Sequence, residues 1–134
     1  MKRLFVPGVF DVFHVGRLNY LRNASEHGDY VIVGVQDDRA VKACKDIDPI
    51  VPLADRMSIV EALRFVDEAV SYKDVFQGPL LEGLAIDVFA AGQEYGASGD
   101  YPDQKKTLAF CRERGIEVVQ IPCTQRVSST QIRG

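Results

Sequence analysis

"RLFVPGVFDVFHVGRLNYLRNASEHGDYVIVGV", Arg3 to Val35, holds two apolar runs separated by a helical pattern. "RLFVP" reads as a strand. Leu18, Leu21 and Ala24 recur at helical spacing and Gly28 follows as a terminator, which predicts a helix over Val15–His27. "YVIVGV" is a continuous apolar run, as expected of a strand buried on both faces. Strand, helix and strand in this order make a βαβ unit, and such units build a parallel sheet with helices on both sides.

The same rhythm continues outward. Asp37 or Asp38 caps a short helix fading near Lys45, and "DIDPIVP" has the proline spacing of a loop. Residues Ala54 to Arg64 are helical again, and "VDEAVSY" is a third strand. Val75–Leu84 stays open between helix and loop because Gly78, Pro79 and Gly83 interrupt it. "IDVFAA" is a fourth strand, "AGQEYGASGDYPD" a long loop, Gln104–Arg114 a helix closed by Gly115, and "IEVVQIP" a fifth strand. The expectation is one doubly wound, Rossmann-like α/β domain over residues 1–134, with a five-stranded parallel sheet. Ligands of such sheets sit at the carboxyl ends of the strands, which makes the long loop after the fourth strand a candidate wall of the site.

Composition narrows the function. At 134 residues the chain is about one domain long and can bury a core without disulfides or metal. A formal charge of −3, with no run of Lys or Arg, argues against a nucleic-acid partner, so any bound anion must be held by local geometry. Cys44, Cys111 and Cys123 are scattered with no CxxC pair, and His14 and His27 add no ligand-like spacing. Reduced thiols and no metal site are expected. No stretch is apolar enough for a membrane span, and "MKRLFVPGVFD" is too short in apolar residues for a signal peptide, so the expected location is the cytoplasm.

The chemistry gathers in Gly8–Leu21, where a strand end, a turn and a helix start fall together. First-turn amides of a helix are unpaired and carry the positive end of the dipole, so they attract phosphate. His14 stands at that entrance, and Arg17 lies three residues on, on the same face; together they put an imidazole and a guanidinium on one anion. A capping histidine beside a solvent-facing arginine is the other reading of the same residues. No GxGxxG follows the first strand and no GxxxxGK[ST] occurs, which removes the dinucleotide-binding and P-loop classes.

Over nearly its whole length the chain resembles the cytidylyltransferase family of HxGH-containing nucleotidyltransferases, in particular glycerol-3-phosphate cytidylyltransferase-like members. Gly8, Phe10, Asp11, His14 and Gly16 match the motif G-x-F-D-x-x-H-x-G-H, and Arg17 stands at its second histidine. Lys45 falls where the family has a phosphate-binding lysine, and Arg56 where an arginine opens the next helix. "LRFVDEAV" is similar to the R-Y-V-D-E-V segment of cytidylyltransferases acting on phosphorylated alcohols. "AAGQEYG", with Gly92, Glu94 and Tyr95, resembles the base-recognition loop. "CTQRVSST" resembles R-T-x-G-I-S-T-T, with Thr124, Ser128 and Thr130 identical, Val127 and Ser129 conservative, and Cys123 and Arg126 departing. Only "QIRG" follows, too little for a final helix, as expected of one domain of a longer protein.

The resemblance implies transfer of CMP from CTP to a small phosphorylated or phosphonylated alcohol, with pyrophosphate released, Mg²⁺ as cofactor and a homodimer as the assembly. His14, Arg17, Lys45 and Arg126 would be catalytic. Gly8, Phe10, Asp11, Gly16, Gly92, Glu94, Tyr95, Thr124, Ser128, Ser129 and Thr130 would bind the nucleotide, with Asp11 orienting His14 or holding the metal through water. Two alternatives stand beside this: adenylyl transfer to a sugar or flavin phosphate, and a catalytically weak nucleotide-binding module, since three motif positions are altered.

Overall fold

The computed structural model describes residues 1–11, 13–45, 49–97 and 101–122, and for residues 43–45 the backbone alone. Strands β1 (Arg3–Gly8), β2 (Tyr30–Gln36), β3 (Glu68–Tyr72), β4 (Val88–Gly92) and β5 (Glu117–Ile121) form one sheet in the order β3-β2-β1-β4-β5. Every pairing is parallel. Among the described residues five helices intervene: α1 (Val15–Ser25), α2 (Asp38–Lys45), α3 (Leu53–Glu61), α4 (Gly78–Gly83) and α5 (Pro102–Arg114). The expected doubly wound α/β fold is the observed one.

Alternation along the strands divides the core in two. Leu4, Val6, Val31, Val33, Val35, Val88 and Ala90 face Leu21 and Ala24 of α1 and Val60 of α3. Phe5, Ile32, Phe89 and Ala91 face Leu81 of α4 and Cys111 of α5. Both faces are therefore covered, and the runs read as uniformly apolar because each residue is buried on one side or the other.

Element ends differ from the sequence expectation where tertiary contacts set them. Helix α1 stops at Ser25, two residues before His27. Gly28 is not a left-handed terminator; it is needed because a Cβ there would lie 2.5 Å from the Cβ of Leu4. Gly115 does close α5 in the left-handed conformation, at φ 72°. Helix α3 runs Leu53–Glu61 rather than Ala54–Arg64. The open segment Val75–Leu84 contains α4, a short helix that tolerates Pro79 because the first-turn N–H has no partner to lose.

Pro7 shapes the sheet most. Alternate residues of a strand turn their backbone polar groups to opposite neighbours, and the Arg3 carbonyl accepts the Asp87 amide at 2.8 Å on the β4 flank. Pro7, four residues on, therefore has its donor-less nitrogen on that flank. Pairing of β1 with β4 runs through Leu4↔Val88 and Phe5↔Phe89 and goes no further, whereas pairing with β2 continues to Gly8↔Val35. The Pro7 carbonyl accepts the Tyr20 hydroxyl of α1 instead, at 3.1 Å. The β1–β4 ladder ends at Phe5 and Phe89, and the carboxyl ends of these two strands are where a doubly wound sheet leaves its ligand-binding crevice.

Candidate active site

The crevice lies at the switch point of the sheet, where the chain changes direction from β1–β2–β3 to β4–β5. Its β1 side begins at Gly8. A Cβ on Gly8 would lie 2.5 Å from the Phe10 ring, so only glycine fits beneath that ring. Phe10 is 2% exposed, packs against Phe13 and Tyr20, and adopts φ 56°, a conformation bulky residues avoid. The ring is a core plug that holds the turn in place; it offers no face to a ligand.

Asp11 is buried, and its two oxygens accept the amides of Ile50 and Val51, both at 2.9 Å. The carboxylate thereby pins the loop ahead of α3 to the turn ahead of α1, a structural task beyond those expected of it.

His14 is the N-cap of α1. Its backbone is extended (φ −144°, ψ 178°), and Nδ1 accepts the Gly16 amide at 3.1 Å. A neutral imidazole with an accepting Nδ1 carries its proton on Nε2, which makes Nε2–H the donor end of the ring. Partial burial, and then the neighbouring Arg17 guanidinium, hold its pKa below the ordinary 6.5. Gly16 is buried in the first turn. Arg17 is half-buried, and its Nε is out of water with no hydrogen-bond partner among the described residues. A buried guanidinium N–H without an acceptor is costly, and an anion at the helix entrance would satisfy it. The capping reading holds in part: His14 is a cap, but Arg17 is half-buried rather than solvent-facing.

On the β4 side, Gly92 begins a turn in which its carbonyl accepts the Tyr95 amide at 3.1 Å and the Glu94 carbonyl accepts the Ala97 amide at 3.0 Å. Glu94 is exposed, with its carboxylate folded back over Gly92. Tyr95 points the other way, into the second core, with its ring 5.4 Å from that of Phe89. Its hydroxyl lies near Thr107, whose own hydroxyl already donates to the Asp103 carbonyl and accepts the Gln77 amide. Among the described residues the tyrosine hydroxyl finds no partner in hydrogen-bond geometry, and burial pushes its pKa up to about 12. In this conformation Tyr95 anchors the turn and does not present a stacking face. The Gly96 amide adds a second anchor by donating to Gln104 Oε1 of α5 at 2.8 Å.

The structure thus brings Gly8, Phe10, Asp11, His14, Gly16 and Arg17 to one lip of the crevice and Gly92, Glu94 and Tyr95 to the other. Lys45 ends α2, with its side chain outside the described residues. Cys123, Thr124, Arg126, Ser128, Ser129 and Thr130 also lie outside them. Sequence reasoning missed the weight of Arg56, which is wholly buried. Its Nε donates to the Val51 carbonyl at 2.9 Å, Nη1 to those of Val9 and Gln36 at 2.7 Å each, and Nη2 pairs with Asp38. The signal was a position matched by resemblance; nothing in its spacing marks it as buried.

Among the described residues no group of three or more His, Cys, Asp or Glu side chains could hold a metal ion, and no helix is long and apolar enough to cross a membrane. A separate cleft of about 340 Å³ lies at the carboxyl ends of β2 and β3, lined by residues that include Asp37, Tyr72, Lys73, Asp74 and Phe76.

A family model described as cytidylyltransferase-like matches residues 5–134. The FAD synthase of Thermococcus kodakarensis is 35% identical over 127 residues, which are 90% of this chain and 79% of that protein. The ethanolamine-phosphate cytidylyltransferase of Arabidopsis thaliana is 34% identical over 137 residues, covering 98% of this chain but 31% of the plant enzyme, so the chain spans about a third of that relative. A solved structure, described as the lipopolysaccharide core biosynthesis protein of Thermoplasma volcanium, superposes with a TM-score of 0.72 at 23% identity, over 95% of this chain and 99% of the other, and has the same fold. The matched region takes in the first strand, the helix entrance and the turn after β4 alike, and the chain belongs to the cytidylyltransferase-like family of nucleotidyltransferases.

Proposed function

We propose that the domain transfers CMP from CTP to a small phosphorylated or phosphonylated alcohol, releasing pyrophosphate. The observation that carries this reading is the pair His14 and Arg17: a neutral imidazole and a guanidinium whose buried Nε has no partner among the described residues, at one helix N-terminus beside the crevice. An acceptor phosphate oxygen attacks the α-phosphorus, and the bond from that phosphorus to the oxygen bridging to the β-phosphate breaks. The attacking oxygen is already an anion at neutral pH, so no general base is needed. Negative charge meets negative charge, and positioned donors lower that barrier.

His14 Nε2–H and Arg17 would meet the α-phosphate and the departing oxygen. Lys45, Arg126, Thr124 and Ser128–Thr130 are assigned to the phosphates by resemblance alone. Each Asp11 oxygen accepts one backbone amide, and among the described residues no cluster of His, Cys, Asp or Glu could cage a cation, so a cation arriving on the triphosphate is the reading adopted. Mg²⁺, when bound, would supply part of the charge neutralisation. The cleft beyond β2 and β3 opens at the same end of the sheet and would take the acceptor's non-reacting end. A homodimer is part of the same proposal.

Cytosine as the base is supported by the family description and by "LRFVDEAV"; the likeness to a FAD synthase over most of its length supports adenylyl transfer as the second reading. Thermal shift and pyrophosphate release separate the two. At a hundredfold excess over Kd, bound nucleotide stabilises by about 2.7 kcal/mol, so CTP should raise Tm visibly more than ATP at equal concentration. Arg17→Ala should cut kcat by ~10²-fold or more, as loss of one oxyanion donor does, and Arg17→His should keep part of the rate. Equal shifts for CTP and ATP would remove the cytosine assignment, and an unchanged rate in Arg17→Ala would remove Arg17 from the reaction.

A further inference from the structure

Arg56 is 0% exposed, so it can touch no substrate, yet every partner of its guanidinium lies at the carboxyl end of the sheet. Val9 follows β1 directly, Gln36 ends β2, Asp38 opens α2, and Val51 lies in the loop that enters α3. Val51 is held from both sides: its carbonyl by Arg56 and its amide by Asp11, a member of the turn leading to His14. Arg56 and Asp11 thus fasten one loop residue to the base of the α1 entrance. An apolar side chain would fill the same volume without the several kcal/mol needed to take a cation out of water, but it could not fix three carbonyls. A lysine could not either, because an ammonium lacks the planar fork that spans carbonyls from separate segments.

We propose that Arg56 is a positioning residue: it fixes Val9 and, through Val51 and Asp11, the approach to His14, and so sets the aim of His14 and Arg17 at the reacting phosphate. This rests on the transfer reading above for its kinetic consequence, while the geometry it asserts can be read without turnover.

The test uses Arg56→Lys in the full 134-residue chain, followed by amide hydrogen exchange, by the imidazole ¹⁵N signature of His14 and by steady-state kinetics. Strand amides such as those of Val33 and Phe89 should keep their protection. Exchange at Ile50 and Val51 should quicken at least tenfold, and the His14 ring should lose its single Nε2–H tautomer. With CTP and an accepted acceptor, kcat should fall tenfold or more while the nucleotide KM moves less than threefold. If strand protection holds and the Ile50, Val51 and His14 signals stay at their wild-type values, the proposal is overturned. It is equally overturned if kcat is held. Should Arg56→Lys lose strand protection as well, Asp11→Asn carries the test, because it loosens Val51 from the amide side and leaves Arg56 in place. The same tautomer change and kcat loss at constant KM are then required, and an unaltered His14 signature sinks the idea. A wild-type chain that releases no pyrophosphate with any nucleotide and acceptor would defeat the transfer reading instead, and the exchange and ¹⁵N arms would still decide whether Arg56 fixes the entrance.

Discussion

Adding a proton to His14 would undo two things at once. Protonated Nδ1 no longer has the lone pair that accepts the Gly16 amide, and the new charge would sit beside Arg17. Both effects, together with partial burial, favour the neutral ring in the folded chain. Between its folded value and 6.5 the unfolded state binds more protons than the folded state, so stability rises with pH through that window. The contribution of His14 is intact above pH 6.5 and is lost as the pH falls through the folded value. On acidification from about pH 7.5 to about 5.5, around the ordinary histidine value, Tm of the wild type should fall further than that of His14→Gln, measured by circular dichroism. Parallel pH profiles would show that the ring is not linked to folding. His14 and Arg17 were legible in the sequence because a cap and the residue three positions later must share one helix end. The inward turn of Tyr95 and the burial of Arg56 were not, since both depend on which distant elements, α5 for one and the ends of β1 and β2 for the other, close over them.

At the scale of elements, the turn after β4 is the informative case. Tyr95 fastens it to the second core while its hydroxyl stays buried with no partner among the described residues, and such a group costs about 1–3 kcal/mol. Tyr95→Phe keeps the ring and removes the orphan. Its midpoint in urea should equal or exceed that of the wild type, and nucleotide affinity should be retained. A loss of more than about 1 kcal/mol, the worth of an ordinary hydrogen bond, would mean that the hydroxyl is satisfied in solution. Strands were the most readable elements, because two-sided burial leaves an unbroken apolar run in "YVIVGV" and in the "VFAA" of the fourth strand. Helix α4 was the least readable. Its six residues contain two glycines and a proline, and its place is set by Leu81 packing under the sheet rather than by propensity.

For the molecule as a whole, β1 is the strand on which everything else is assembled. Leu4, Phe5 and Val6 are fully buried, with a paired strand on each side of Leu4 and Phe5. Their amides should exchange only through global unfolding and give the full unfolding free energy, while those of Ala69–Ser71 in the edge strand β3 should exchange through smaller openings. Equal protection in the two strands would mean that the sheet opens only as a unit. The order β3-β2-β1-β4-β5 also has a consequence for a chain emerging from the ribosome. Residues 1–72 supply β1, β2 and β3 before β4 exists, and the Arg3 amide waits for a carboxylate 84 residues away. During that interval the β4 flank of β1 is an open edge, the kind of surface on which nascent chains stick to one another. Pro7 has no N–H to offer an intruding strand on that flank, so the residue just past the end of the β1–β4 ladder also guards the half-made sheet against aggregation.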